Sequence, residues 1–177
     1  MSAETEEWFD VVNERDEPVA RALRREVHAR NLLHRAVHVL VFDRHGRVFL
    51  QKRSMKKDMC PGLWDSSCSG HLDAGEDYDT AAQRELGEEL GLTVVRPPER
   101  WFRVEACEAT GWEFCWIYRM ESGGPFVLHP DEIDGDEWLS PTEVNTRIEA
   151  KPEEYCPAFK LIWGIARAKL GVGVLNR

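Results

Sequence analysis

Residues 70–92, GHLDAGEDYDTAAQRELGEELGL, decide the fold. Within them Gly70, Glu76, Arg84, Glu85, Leu86, Glu88, Glu89, Gly91 and Leu92 form one spaced pattern, read as a loop followed by a helix. Gly70 and Gly75 give the loop a permissive backbone, Asp77 is placed to cap the helix N-terminus, and Gly91 stands where a helix end favours a left-handed residue. Glu85, Glu88 and Glu89 then share about a 100° arc of one face. Leu86 and Leu90 fall about 100–140° round from Glu85, on the side that packs against a sheet.

Three carboxylates on one short face repel one another, and no lysine at the next turn answers them. A hard divalent cation resolves that conflict, because Mg2+ takes oxygen ligands, retains water and bridges carboxylates to phosphates. The pattern resembles the signature of the Nudix hydrolase superfamily and matches it at every defining position. The resemblance implies an α/β/α sandwich with a mixed sheet, and Mg2+- or Mn2+-dependent cleavage of a diphosphate linked to another moiety. It implies Glu85, Glu88, Glu89 and the Gly70 carbonyl as metal ligands. By the same resemblance Glu85, Arg84 and Glu76 are catalytic residues, with Arg84 orienting Glu76 and Glu85 through its guanidinium fork. The general base stays open between Glu85 and three residues of the acidic 131–137 stretch, Glu132, Asp134 and Glu137. Arg53 and Lys57, with Lys52 and Lys56 beside them, are candidate phosphate contacts.

The flanks narrow the resemblance. LLHRA (32–36), QKRS (51–54) with KD three residues on, and PGLWD (61–65) look like the branch that contains isopentenyl-diphosphate isomerases. Against that branch, Ser69 stands where the isomerase cysteine would fall. Cys68 lies one residue early and would face the other way on an extended strand. His34, His71 and Glu113 match isomerase metal-ligand positions, with His28 near another; together they could hold a second divalent ion with imidazole preference. Trp112 and Trp116, flanking Glu113, read as core or pocket wall.

Bulk properties agree with one domain over 1–177, comprising an N-terminal strand and extension over about 1–30 and a C-terminal helix within 150–177. Hydrophobic content of 42% with seven Trp and seven Phe supports a core. A net charge of -9 argues against a nucleic-acid polymer as partner and for a small-molecule diphosphate whose charge is met locally. A second copy of the chain is a further candidate partner. No apolar run approaches the ~20 residues of a membrane span. The acidic N-terminus lacks the build of a signal peptide, and five cysteines without a CxxC do not make a disulfide framework, so the chain reads as cytoplasmic.

The remaining elements follow from periodicity: strands over 8–12, 36–43 and 47–54, the last two as a hairpin, and a short helix within 19–30. Two strands near 100–109 and 112–120 come after the signature helix. The acidic 131–140 stretch ends in a short strand, Ser140-Pro141 opens a helix, and a final helix spans about 158–170. Three activities are thus on the table: diphosphate hydrolysis, allylic isomerisation of isopentenyl diphosphate, and ligand binding without catalysis.

Overall fold

AVHVLVF is apolar at nearly every position, as a strand buried on both faces requires. The computed structural model, which describes residues 6–171, places it in β3 (His34–Phe42). Its residues alternate: Ala36, Leu40 and Phe42 enter one apolar cluster, Val37, Val39 and Val41 the other. Around β3 lies a seven-stranded sheet built from β4 (Val48–Arg53), β5 (Trp64–Asp65), β6 (Cys68–His71), β7 (Glu99–Val104), β8 (Glu113–Glu121) and β9 (Ile133–Leu139). The order is β5-β4-β3-β8-β7, with β6 added to β3 and β9 to β4. β3 and β8 run parallel, and the other pairs run antiparallel, so the sheet is mixed.

Helix α2 (Tyr78–Leu90) covers one face through Ala81, Ala82, Leu86 and Leu90. Helix α4 (Pro157–Lys169) covers the other through Phe159, Ile162 and Trp163, joined by Val144 of α3 (Pro141–Ala150). The result is the α/β/α sandwich that residues 70–92 imply. The caps form as their residue types require: the Asp77 carboxylate accepts the Thr80 N–H at 3.0 Å, Gly91 takes φ +66°, and Ser140 and Glu143 close a reciprocal capping box.

Several elements differ from the sequence reading. The short helix expected within 19–30 is α1 (Arg24–Ala29), but the residues before it, Pro18–Leu23, form an unexpected strand β2, paired with β1 (Trp8–Val12). β2 exposes its first four residues, so it carries no alternation to betray it. The hairpin of β3 and β4 meets only at Phe42 and Val48, because β4 pairs along its length with β9, a strand of seven residues rather than a short one. The strand expected over 100–109 stops at Val104; Glu108–Thr110 form a 3-10 turn in which the Thr110 hydroxyl binds the Cys107 N–H. The C-terminal helix occupies 157–169 of the 150–177 span, and residues 1–5 and 172–177 lie outside the described residues. No helix among the described residues is long and apolar enough to cross a membrane.

Gly91 closes α2 where the backbone leaves a side chain little room. A Cβ there would sit in the left-handed region and 2.9 Å from the Val127 Cβ. Gly91→Ala is expected to cost at least about 1 kcal/mol, read as a lower urea midpoint at unchanged slope; an unchanged midpoint would refute this account of the helix end.

Candidate active site

The signature loop and helix converge on a cleft of about 680 Å3 at one end of the sheet. β6 delivers Gly70 to its floor, and α2 lies so close that a Cβ built on Gly70 would fall 2.0 Å from the Glu85 carboxylate. Having no side chain, Gly70 leaves the Glu85 carboxylate a place that any Cβ would take from it, a constraint separate from turn geometry. Glu85 and Glu89 are buried and Glu88 is exposed at the rim. Burial raises both buried carboxyls above their usual range; Glu89 adds to the effect on Glu85, while the Ser69 N–H and Gln51 oppose it at Glu89. Glu89 Oε2 accepts from Gln51 Nε2 at 2.9 Å and from the Ser69 N–H at 3.0 Å.

Arg84 ties this face together. Its Nε and Nη2 grip Glu76 bidentately at 3.0 and 2.8 Å, Nη1 reaches Glu85 at 2.7 Å and Glu88 at 3.0 Å, and Nη2 also donates to the His71 carbonyl at 2.8 Å. The cation missing at the next turn is therefore supplied from within the signature, but it neutralises only part of the acidic face. Glu85 shares that guanidinium with Glu76 and Glu88, and Glu89, buried beside it, has no cation bonded to it; such a face suits a hard divalent cation, so the residues present fit Mg2+ or Mn2+.

Beside this face stands a second cluster. The β3–β8 register sets His34 opposite Glu113, and the β3–β6 register sets His71 opposite Ala36. α1 adds His28, so that ligand atoms of His28, His34, His71 and Glu113 all lie within 4.8 Å of one another. Phe9 of the N-terminal hairpin stacks on His71 at 4.7 Å and on His34 at 5.8 Å and shields the group. His34 Nδ1 faces the Leu32 carbonyl at 2.8 Å and must carry the proton there, which leaves the Nε2 lone pair turned toward the cluster. That atom is buried without a hydrogen-bond partner, although Glu113 Oε1 lies 3.4 Å away. Burial, then His71 and His34, lowers His28 to about 4; against the cost of its own burial, Glu113 is held well below its usual range by His71 and His34. Three imidazoles and a carboxylate around an unsatisfied nitrogen fit an imidazole-preferring cation.

The other residues singled out in the sequence separate. Arg53 and Lys57 line the cleft, with Arg53 held by Asp65 at 3.2 Å and by the Met59 carbonyl at 3.1 Å, and Lys57 paired with Glu132. Lys52 and Lys56 do not reach the cleft: Lys52 lies over the Trp64 ring and Lys56 pairs with Asp131. Asp134 accepts the Met55 N–H at 2.8 Å and Glu137 pairs with Arg147, so of the acidic stretch only Glu132 faces the cleft. Ser69 lines the cleft while Cys68 is buried among Val37, Val39 and Leu86, as opposite faces of one strand require. Trp116 packs against the α2 side of the core and Trp112 is partly exposed at φ +68°; neither is a wall of the cleft. Sequence reasoning missed Gln51 and His129 as cleft or second-layer groups, and no spacing rule reveals either.

The NUDIX domain family model matches residues 32–159. The chain belongs to the Nudix family. The Nudix hydrolase YfcD of Shigella flexneri is 37% identical over 166 residues, covering 92% of this chain and 89% of its own. Isopentenyl-diphosphate Delta-isomerase 2 of Aromatoleum aromaticum is 33% identical over 153 residues, covering 85% and 81%. Among solved structures, DR0079 from Deinococcus radiodurans superposes with a TM-score of 0.69 at 30% identity, covering 81% of this chain and 90% of that one. The protein is a Nudix hydrolase, and its family acts on diphosphate-containing substrates.

The Gly70 approach is testable through turnover. Gly70→Ala must displace the Glu85 carboxylate, and if Glu85 acts in turnover, a shift of about 1 Å there should cost on the order of 100-fold in kcat. A folded Gly70→Ala enzyme that retained wild-type kcat would contradict this placement.

Proposed function

We propose that the protein is a divalent-metal-dependent hydrolase that cleaves the diphosphate linkage of a nucleoside diphosphate derivative or another small organic diphosphate. The observation that carries this reading is the buried pair Glu85 and Glu89 on the cleft floor, with Glu88 at the rim and Gly70 beneath. Glu85, Glu88, Glu89 and the Gly70 carbonyl would hold Mg2+ or Mn2+, which when bound offsets charge on phosphate oxygens and acidifies water. Arg84 keeps Glu76 and Glu85 in fixed orientation, and Gln51 and the Ser69 N–H do the same for Glu89. Glu132 and Glu85 are the carboxylates in position to take the proton of the attacking water. Lys57, released from Glu132, can meet a phosphate at the rim, while Arg53 is committed to Asp65 and the Met59 carbonyl.

Isomerisation is the second reading, favoured by the His28, His34, His71 and Glu113 cluster and by the isomerase relative. It is weakened by Ser69, a hydroxyl where proton transfer to carbon wants a thiol, and by Cys68, whose thiol burial pushes well above its usual range inside the core. A non-catalytic binding module is weaker still, since the acidic face and its Arg84 clamp are intact.

A substrate panel with Mg2+ decides among these readings, covering nucleoside di- and triphosphates, sugar nucleotides, dinucleoside polyphosphates and isoprenoid diphosphates. Phosphate or monophosphate release is expected, and Glu89→Gln should cut kcat by a factor of about 100 or more. Isomerised isopentenyl diphosphate without phosphate release would overturn the hydrolase reading, and so would tight binding without turnover.

The second cation is checked separately. Titration of the metal-free protein with Zn2+ or Mn2+ should show a site lost in His34→Gln and retained in Glu88→Gln. Loss of the same site in Glu88→Gln, with retention in His34→Gln, would reduce the imidazole cluster to a lining of the cleft.

A further inference from the structure

Hydrolysis leaves two groups at the sheet end unused, the His38 imidazole and the Cys115 thiol, and the strand register that builds the imidazole cluster also brings these together. Along β3, His34, Ala36 and His38 fall on one side of the strand, and along β8 Glu113, Cys115 and Ile117 stand in register with them. Ala36, His38 and Glu113 line the cleft, while Cys115, the register partner of Ala36, is fully buried. One ligand atom each from His38, Glu113 and Cys115 lies within 4.8 Å of the other two.

The Glu113 carboxylate faces two ways. Its Oε1 lies 2.9 Å from His71 Nε2 and 3.4 Å from His34 Nε2, whereas Oε2 lies 3.9 Å from Cys115 Sγ. One oxygen is thus committed to the imidazole cluster and the other is left to the thiol. His38 is oriented from its far side: Nδ1 is 2.9 Å from the Ser66 hydroxyl and 3.9 Å from Asp65 Oδ1. Asp65 is itself held by the Ser66 N–H at 2.7 Å and by Arg53 Nη1 at 3.2 Å. A carboxylate on that side favours the proton on Nδ1, donated to the Ser66 hydroxyl, so Nε2 keeps its lone pair. Metal-binding histidines are commonly held in this way, the nitrogen that does not bind the ion being fixed by a polar partner.

We propose that His38, Cys115 and the second oxygen of Glu113 form a thiolate-containing Zn2+ site, separate from the acidic face and sharing only Glu113 with the imidazole cluster. Sulfur, imidazole and carboxylate together suit zinc and disfavour hard Mg2+, which takes oxygen ligands. Three protein donors leave a fourth position for water from the cleft. As the ion binds, Cys115 Sγ gives its proton to solvent and bonds the metal as thiolate.

Co2+ in place of zinc supplies a readout that does not depend on which substrate the cleft takes. The metal-free full chain, kept reduced, is titrated with Co2+ and followed by absorption. The expected result is a thiolate-to-cobalt charge-transfer band in the near ultraviolet that Zn2+ abolishes by displacement. The band should be lost in Cys115→Ser, with circular dichroism checking that the variant is folded, and retained in His34→Gln. Should Cys115→Ser fail to fold, His38→Gln, altered at the cleft rather than in the core, is expected to lose the band as well. A wild-type titration without the band would overturn the assignment. So would a band that survives in folded Cys115→Ser, which would belong to another thiol, or one lost in His34→Gln and retained in His38→Gln.

Discussion

Two carboxylates, Glu85 and Glu89, are buried side by side where α2 meets β6, and much of the molecule is arranged around that cost. Unpaired buried carboxylates are worth several kcal/mol of destabilisation each, so every nearby polar group is recruited. Arg84 answers Glu85, Gln51 and the Ser69 N–H answer Glu89, and Glu76 anchors Arg84 in turn. The Glu85 carboxylate can lie against β6 where it does because Gly70 has no side chain. On the proposed reading, a face built this way is preorganised for a cation before any substrate arrives.

The same sheet end holds a second, chemically distinct centre. β3 is the common element: on one side its register aligns His34 with Glu113, on the other it aligns Ala36 with His71. The N-terminal hairpin closes over them, with the Ala74 N–H donating to the Trp8 carbonyl and the Gly75 N–H to Asp10, so that Phe9 is seated on the imidazoles. The cleft thus holds an acidic group from α2 beside an imidazole-rich group to which β3 contributes His34.

Features governed by local chemistry were legible in the sequence. Asp77, Gly91 and the Ser140-Pro141 pair each satisfy a helix end through their own residue type, and β3 announces burial on two faces by its composition. The convergence of His34, His71 and Glu113 required knowing that β3 and β8 are parallel and in that register, which periodicity cannot supply. β2 escaped because its exposed first four residues, Pro18 to Arg21, show no alternation, and the Ala, Arg and Leu that follow Val19 suit a helix as well as a strand. The choice among Glu132, Asp134 and Glu137 also depended on tertiary partners, since Met55 and Arg147 remove two of them from the cleft.

The central claim is that the buried acidic face is a cation site distinct from the imidazole cluster. Diffraction from crystals grown in Mn2+, measured at the manganese edge, tests it most directly. The expected result is an anomalous peak coordinated by the Gly70 carbonyl and the Glu85 and Glu89 carboxylates. An anomalous map with no peak on that face, and manganese held by the histidines alone, would contradict it.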